Sequence, residues 1–244
     1  MSEVAQCSVR GLAILLRGAS EMEQFRIETY ESKEPETLDW IDEHFAAGDT
    51  LYDIGANVGV YSVYAALRSP KGRVFAFEPS VHNCAALIEN ARLNGLTNLA
   101  PCCFPVSAGR TFGWFHLSMI MAGASMHSFG REDLMLGFGE RSVMAQGGLS
   151  TSLDELLADG FPPPSLIKID VDGLETDILR GARDTLHCPS LRSVLVELNW
   201  QGIAPSREAV QLVKAAGFRL VAVGEISERE RMKWQNYIFV RTGP

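Results

Sequence analysis

The sequence predicts an open α/β sheet of seven strands, mostly parallel, with helices on both faces. Two observations carry the sheet. Apolar runs of strand length alternate with amphipathic stretches of helical period from Thr50 to Ala216. The last two apolar runs, Phe218–Val223 and 237–241, have only a polar segment between them, so they pair as a C-terminal antiparallel hairpin. A third observation places the ligand site. A glycine loop, "DIGANVG", follows the first strand of the alternating region, at the sheet edge where such folds bind ligands.

Taken in order, residues 10–16 and 25–30 read as short strands of an N-terminal extension, residues 1–36, packed on the main domain, 37–244. "EPETLDWIDEHFAAGD" follows, with Leu38, Ile41 and Phe45 at helical spacing and Gly48 at the C-cap position. Thr50–Ile54 is the first strand of the alternation and Val60–Arg68 its helix. Arg73–Phe77 and Val81–Leu93 form the next pair, ending at Asn94-Gly95, and 99–103 is a strand. After a break, 166–171 is a strand, 175–186 a helix, 193–198 a strand and 206–216 a helix ending at Gly217. The break, residues 104–148, is rich in Gly, Met, Ser and aromatics. It reads as an irregular substrate-side insertion with one strand at 114–117.

The 244 residues suit one large domain, and 46% hydrophobic content supports a sizeable core. A formal charge of -8 without any Lys/Arg run argues against nucleic acid as partner. Five cysteines (Cys7, Cys84, Cys102, Cys103, Cys188) lack metal-knuckle or C-x-x-C spacing; they read as reduced and mostly buried in a cytoplasmic protein. The apolar run at 12–16 is too short to span a membrane, Glu3 does not suit a signal peptide, and Ser2 excludes N-myristoylation.

The loop narrows the ligand. Gly55 and Gly59 permit positive φ and close backbone approach, and the following helix offers N–H groups for an anion cradle. Yet the pattern is D-x-G-x-N-x-G, not the G-x-G-x-x-G of a dinucleotide site. Asn57 replaces the middle glycine and would crowd a pyrophosphate, and Asp53 would repel one. Asp53 instead suits a ligand carrying a cation or donors. Glu78 ends the next strand, in the slot where an acid accepts hydrogen bonds from both ribose hydroxyls. An adenosine with a cationic tail and no demanding phosphate satisfies all of these: S-adenosylmethionine. A nicotinamide-linked reductase is the disfavoured alternative.

The segments "LYDIGANVGVYS", "FAFEPSVHNCAALIENARLNG", "STSLDELL", "LIKIDVDGLETDILRGA" and "VLVELN" together resemble the FkbM family of S-adenosylmethionine-dependent methyltransferases, from about Leu38 to Val240. The resemblance implies a seven-stranded class I (Rossmann-like) methyltransferase fold. It also implies O-methylation of a hydroxyl on a small secondary metabolite or sugar, with glycan or lipid acceptors as the alternative. By match, Asp53, Gly55, Asn57 and Gly59 form the cofactor loop and Glu78 the ribose contact. Ser107, past the third strand, completes the cofactor set, and Asn83 and Asn94 match family positions. The family has Glu where this chain has Asp172, so the carboxylate is retracted by one methylene.

Methyl transfer needs a positioned nucleophile, water exclusion and often a base. Asp170, Asp172 and Glu175 end a strand at the same sheet edge as Gly55. Asp170 and Asp172 are the catalytic candidates; a hard divalent ion there is the secondary reading. Asp172 to Glu175 also fits a capping box opening a helix. Glu197, Asn199 and Trp200 are placed to reach the pocket rim, and His116 and His127 are candidate bases. "FPPPS" precedes its strand, so it is not the Pro-Pro-aromatic motif that follows this strand in enzymes methylating base amines. A binding module without turnover is the non-enzymatic alternative.

Overall fold

The computed structural model describes residues 4–130, 142–199, 204–229 and 232–243. An N-terminal hairpin, β1 (Val4–Val9) and β2 (Leu12–Arg17), precedes helices α1 (Glu21–Glu28) and α2 (Pro35–His44). Then come β3 (Thr50–Ile54), α3 (Val60–Arg68), β4 (Arg73–Phe77), α4 (Val81–Leu93) and β5 (Leu99–Cys102). Strands β6 (Thr111–Leu117), β7 (Ser128–Phe129) and β8 (Met144–Ser150) make a separate antiparallel sheet. Helix α5 (Leu153–Ala158) leads to β9 (Leu166–Ile169), α6 (Glu175–Arg180), α7 (Arg183–Leu186) and β10 (Ser193–Asn199). Helix α8 (Ala204–Ala215), β11 (Phe218–Val223), β12 (Ser227–Arg229) and β13 (Met232–Arg241) close the chain.

The main sheet runs β5-β4-β3-β9-β10-β13-β11, with β12 paired to β13 off this line. From β5 to β10 the strands are parallel, and β13 is antiparallel to both its neighbours. The expected seven-stranded sheet with a C-terminal antiparallel hairpin is therefore present. Its last strand starts five residues earlier than the apolar run suggested and inserts between β10 and β11. Both faces of β3 are buried, as a central parallel strand requires. Side chains alternate between two cores. Leu51 and Leu166 join α3 and α4 on one face, while Tyr52, Ile54, Ile167 and Ile169 pack on the other.

Several expectations change. Residues 25–28 belong to a helix and 29–30 to the turn after it, not to a strand: Ser20 and Glu23 form a capping box that starts α1. The hairpin lies one turn earlier, because Arg10 and Gly11 both take positive φ, 48° and 83°, between the paired Val9 and Leu12. The free edge of β2 is held by α4. Asn94 exchanges hydrogen bonds with the Leu15 backbone, and Asn90 accepts from Arg17 N–H at 2.7 Å while donating to Val58 O at 2.7 Å. The insertion is a three-stranded sheet rather than irregular; residues 131–141 of it lie outside the described residues. The helix expected at 175–186 breaks at Gly181, where the chain passes so close to the Ser107 and Ala108 carbonyls that a Cβ would sit 2.8 Å from either. The cysteines are not all reduced: Cys84 in α4 and Cys103 after β5 form a disulfide, with Cα atoms 5.9 Å apart. Nineteen residues of sequence separate them, and only the packing of α4 beside β5 brings them together.

Candidate active site

The chain leaves β3 to build β4 and β5 on one side, then crosses to β9 on the other. That switch point opens a crevice at the C-terminal edge of the sheet. The ends of β3 and β4 supply Gly55, Asn57, Phe77 and Glu78, and the loop after β9 supplies Asp170, Val171, Asp172 and Leu174. Pro105 and Val106 line it after β5. The insertion adds Phe115, Ala124, Ser125, His127 and Phe129, and the N-terminal segment adds Arg26 and Lys33.

Gly55 has φ of 82°, and a Cβ there would lie 1.9 Å from the Asp170 carbonyl oxygen. The two strand ends thus meet only because this residue has no side chain. The loop amides are all used inside the protein. Gly55 and Ala56 N–H donate to Phe77 O (2.9 and 3.1 Å), Asn57 N–H to Glu78 Oε2 (2.8 Å), Val58 N–H to Asn57 Oδ1 (2.9 Å) and Gly59 N–H to Ala56 O (2.8 Å). The expected anion cradle is therefore not built by residues 55–59, and no amide among these five is left for a pyrophosphate.

Glu78 stands where the sequence placed it. It is buried, with Oε1 accepting from Ser80 N–H and Oε2 from Asn57 N–H, each at 2.8 Å. Burial pushes its carboxyl up to about 7, against the pull of those two amides. The Asn83 side chain adds a third donor, and the carboxylate, with about four lone-pair sites, retains capacity for a ligand hydroxyl. A phosphate-free nucleoside thus fits what this edge offers.

Asp53 is a correction. It was expected to face the ligand, but it is 1% exposed and does not line the crevice. Alternating with Tyr52 and Ile54, it points into the α3 layer, where it accepts a hydrogen bond from Ser62 Oγ and lies 3.7 Å from Lys168 Nζ. Gly59 is also displaced from the ligand: it caps α3, and a Cβ there would strike Leu87 at 2.2 Å. Ser107 does not line the crevice either; its N–H donates to Thr151 O at 2.8 Å, leaving Pro105 and Val106 as that wall. Asn57 lines the crevice, but its amide nitrogen donates to Ala124 O at 2.7 Å.

Lys168 escaped the sequence reading, although a lone charge inside the apolar run "LIKID" was a visible signal. It is buried, donates to Asp170 Oδ2 at 2.8 Å and lies 5.3 Å from the Tyr61 ring centroid. Burial alone would lower its ammonium; the Asp170 and Asp53 carboxylates outweigh that and raise it. Asp170 is thus tied to a buried cation, whereas Asp172 Oδ2 accepts from the His127 backbone N–H at 3.1 Å. The Asp172–Glu175 capping box does not form. Leu174 occupies the cap position of α6, and Glu175 turns back to accept from Gly173 N–H at 3.0 Å. Burial, then the nearby Asp172 and Asp170 charges, push Glu175 up to about 8. No metal-holding group of three or more His, Cys, Asp or Glu occurs among the described residues.

Residues 122–124 are clamped over the crevice. Asn83 exchanges hydrogen bonds with Gly123 N–H and Ala124 O, Arg26 Nε donates to Gly123 O at 2.9 Å, and Ser20 Oγ donates to Ala122 O at 2.8 Å. This clamp presents His127, which is 7% exposed. Its Nδ1 lies 3.2 Å from Ser118 N and its ring packs edge-on against Phe115. Burial, then the Arg26 and His82 charges, lower its imidazole to about 4. His116, Glu197 and Asn199 do not line the crevice, and Trp200 lies outside the described residues.

Fold and site together define a class I methyltransferase. The family model described as "Methyltransferase FkbM domain" matches residues 53–220. Over 195 residues the chain is 30% identical to the 31-O-demethyl-FK506 methyltransferase FkbM of Streptomyces tacrolimicus, covering 72% of this chain and 74% of that one. It is 30% identical over 173 residues to the hexuronic acid methyltransferase AglP of Haloferax volcanii, covering 69% and 62%. Among solved structures, a methyltransferase FkbM from Methylobacillus flagellatus superposes with a TM-score of 0.50 at 14% identity, over 91% of this chain and 55% of that one. The precorrin-6y C5,15-methyltransferase of Geobacter metallireducens gives 0.52 at 12% identity, over 86% and 89%. The chain belongs to the FkbM family of S-adenosylmethionine-dependent methyltransferases.

Proposed function

We propose that this enzyme methylates a hydroxyl of a small metabolite or sugar, with Glu78 and Gly55 on the cofactor and Asp172 as the proton acceptor. The observation that carries this is the crevice itself. One wall is a glycine loop with no phosphate-binding amides beside a buried carboxylate, and the other is an acid pair at the end of β9. Two relatives agree by name, one a 31-O-demethyl-FK506 methyltransferase and the other a hexuronic acid methyltransferase.

When bound, S-adenosylmethionine supplies a methyl group on a positively charged sulfur. Glu78 would accept from the ribose hydroxyls, and Gly55, having no side chain, would leave room for the cofactor at the strand end. Asp170 is held by Lys168, which fixes its orientation. Asp172 is the acid to take the acceptor's proton as the oxygen attacks, and Phe115, Phe129 and Leu174 exclude water.

Calorimetry with S-adenosylhomocysteine, against NAD, tests the cofactor assignment; tighter binding of NAD would overturn it. Asp172→Ala should bind S-adenosylhomocysteine normally and turn over about 100-fold more slowly. Unchanged turnover would leave Asp172 only the task of holding the His127 backbone.

A further inference from the structure

His127 lines the crevice and carries a buried polar atom that the reaction so far leaves unused. Nε2 of His127 is buried and has no hydrogen-bond partner among the described residues. The opposite ring nitrogen is accounted for. Ser118 N–H points at Nδ1 from 3.2 Å, and the Ser118 hydroxyl proton goes to Ser125 O at 2.6 Å. Nδ1 therefore faces a donor and must be a bare acceptor. A neutral imidazole then carries its proton on Nε2. Ser118 does not line the crevice and His127 does, so the unused edge of the ring is the N–H edge.

We infer that His127 is not a base but a hydrogen-bond donor that selects an oxygen nucleophile. The inference rests on the methyl-transfer reading above. A hydroxyl has one proton and two lone pairs. It can give its proton to Asp172, accept from His127 Nε2–H with one lone pair, and attack with the other. A neutral amine has a single lone pair, so a donor aimed at it blocks the electrons that would form the new bond. The His127 backbone N–H to Asp172 Oδ2 contact, 3.1 Å, puts the donor residue and the proton acceptor side by side in the crevice wall. The step balances: the O–C bond forms, the S–C bond breaks, the hydroxyl proton moves to Asp172, and the sulfur keeps the electron pair. His127 exchanges no proton. The lowered imidazole agrees, since the ring stays neutral throughout the physiological range.

Imidazole nitrogen NMR on isotope-labelled protein saturated with S-adenosylhomocysteine tests this without knowledge of the natural acceptor. The His127 signals, assigned by their loss in His127→Gln, should show a protonated Nε2 and an unprotonated Nδ1 at neutral pH. A proton on Nδ1, or on both nitrogens, overturns the inference. Activity supplies the second readout, with D-glucuronic acid and D-glucosamine as probes and the methylated atom, oxygen or nitrogen, read from the product. His127→Phe should lower kcat/KM on the hydroxyl probe by about 10- to 100-fold while S-adenosylhomocysteine affinity is kept, and His127→Gln, which retains an N–H, should recover most of it. Wild-type N-methylation of glucosamine as fast as O-methylation of glucuronic acid, or undiminished turnover by His127→Phe, overturns the inference. If neither probe turns over, the sugar acceptor of the preceding proposal fails, and the imidazole spectrum still decides the role of His127.

Discussion

At the scale of single residues, Glu78 and Gly55 show how local chemistry narrows the ligand. Glu78 has its two oxygens oriented by backbone amides, so Glu78→Gln would turn an NH2 toward one of those N–H groups as well as removing the charge. Its S-adenosylhomocysteine affinity should fall at least about tenfold by calorimetry. The pH dependence has a definite sign. The carboxyl sits at about 7, above its ordinary 4.5, so the folded state holds a proton that the unfolded chain releases. Its contribution to stability is full below about 4.5 and is lost as pH rises through 7. Ligand affinity runs the opposite way, because the ionised form accepts the hydroxyls: it should drop as pH falls below 7, and that slope should vanish in Glu78→Gln. Gly55→Ala should cost about 1–3 kcal/mol for the positive φ alone, before the clash with the Asp170 carbonyl, and should abolish cofactor binding. A denaturation curve and a titration check both parts. Sequence was enough to single out Gly55 and Glu78. It misplaced Asp53 because a position one residue before a strand end says which face a side chain takes only when the neighbouring layers are known.

At the scale of elements, the lesson concerns local signals that compete. Ser20-x-x-Glu23 formed its capping box and decided a helix where strands had been read. Asp172-x-x-Glu175 matched the same pattern and did not, because Asp172 is drawn to the His127 backbone and Glu175 to Gly173. The hairpin β1–β2 depends on α4 through Asn90 and Asn94, which occupy the hydrogen-bonding groups of an otherwise open edge. Asn90 is fully buried with both ends of its amide engaged, so Asn90→Leu should destabilise the protein by about 2–4 kcal/mol, read as a lower denaturation midpoint. The hairpin should loosen first, seen as faster amide exchange at Leu15 and Arg17. Equal exchange there in mutant and wild type would mean that the hairpin is held by its apolar packing alone.

At the scale of the whole molecule, a buried charge cluster joins the sheet to the site. Lys168 on β9 bridges Asp53 on β3 and Asp170 in the crevice wall. Lys168→Met should cost about 3–5 kcal/mol, because it strands carboxylates without their cation, and it should also weaken S-adenosylhomocysteine binding by freeing Asp170. Asp53→Asn should be milder in binding, since Asp53 does not reach the crevice. The sequence by itself determined the alternating parallel sheet, the antiparallel end, the family and the acids at the strand tips. These follow from periodicity and from short motifs, which are local. Only the tertiary structure decided that Asp53 faces inward, that the loop amides are already used, that Cys84 meets Cys103, and that the insertion brings His127 to the crevice. Each of those depends on groups far apart in the chain lying within a few ångströms, and side-chain direction there is set by the packing of whole layers rather than by neighbours in sequence.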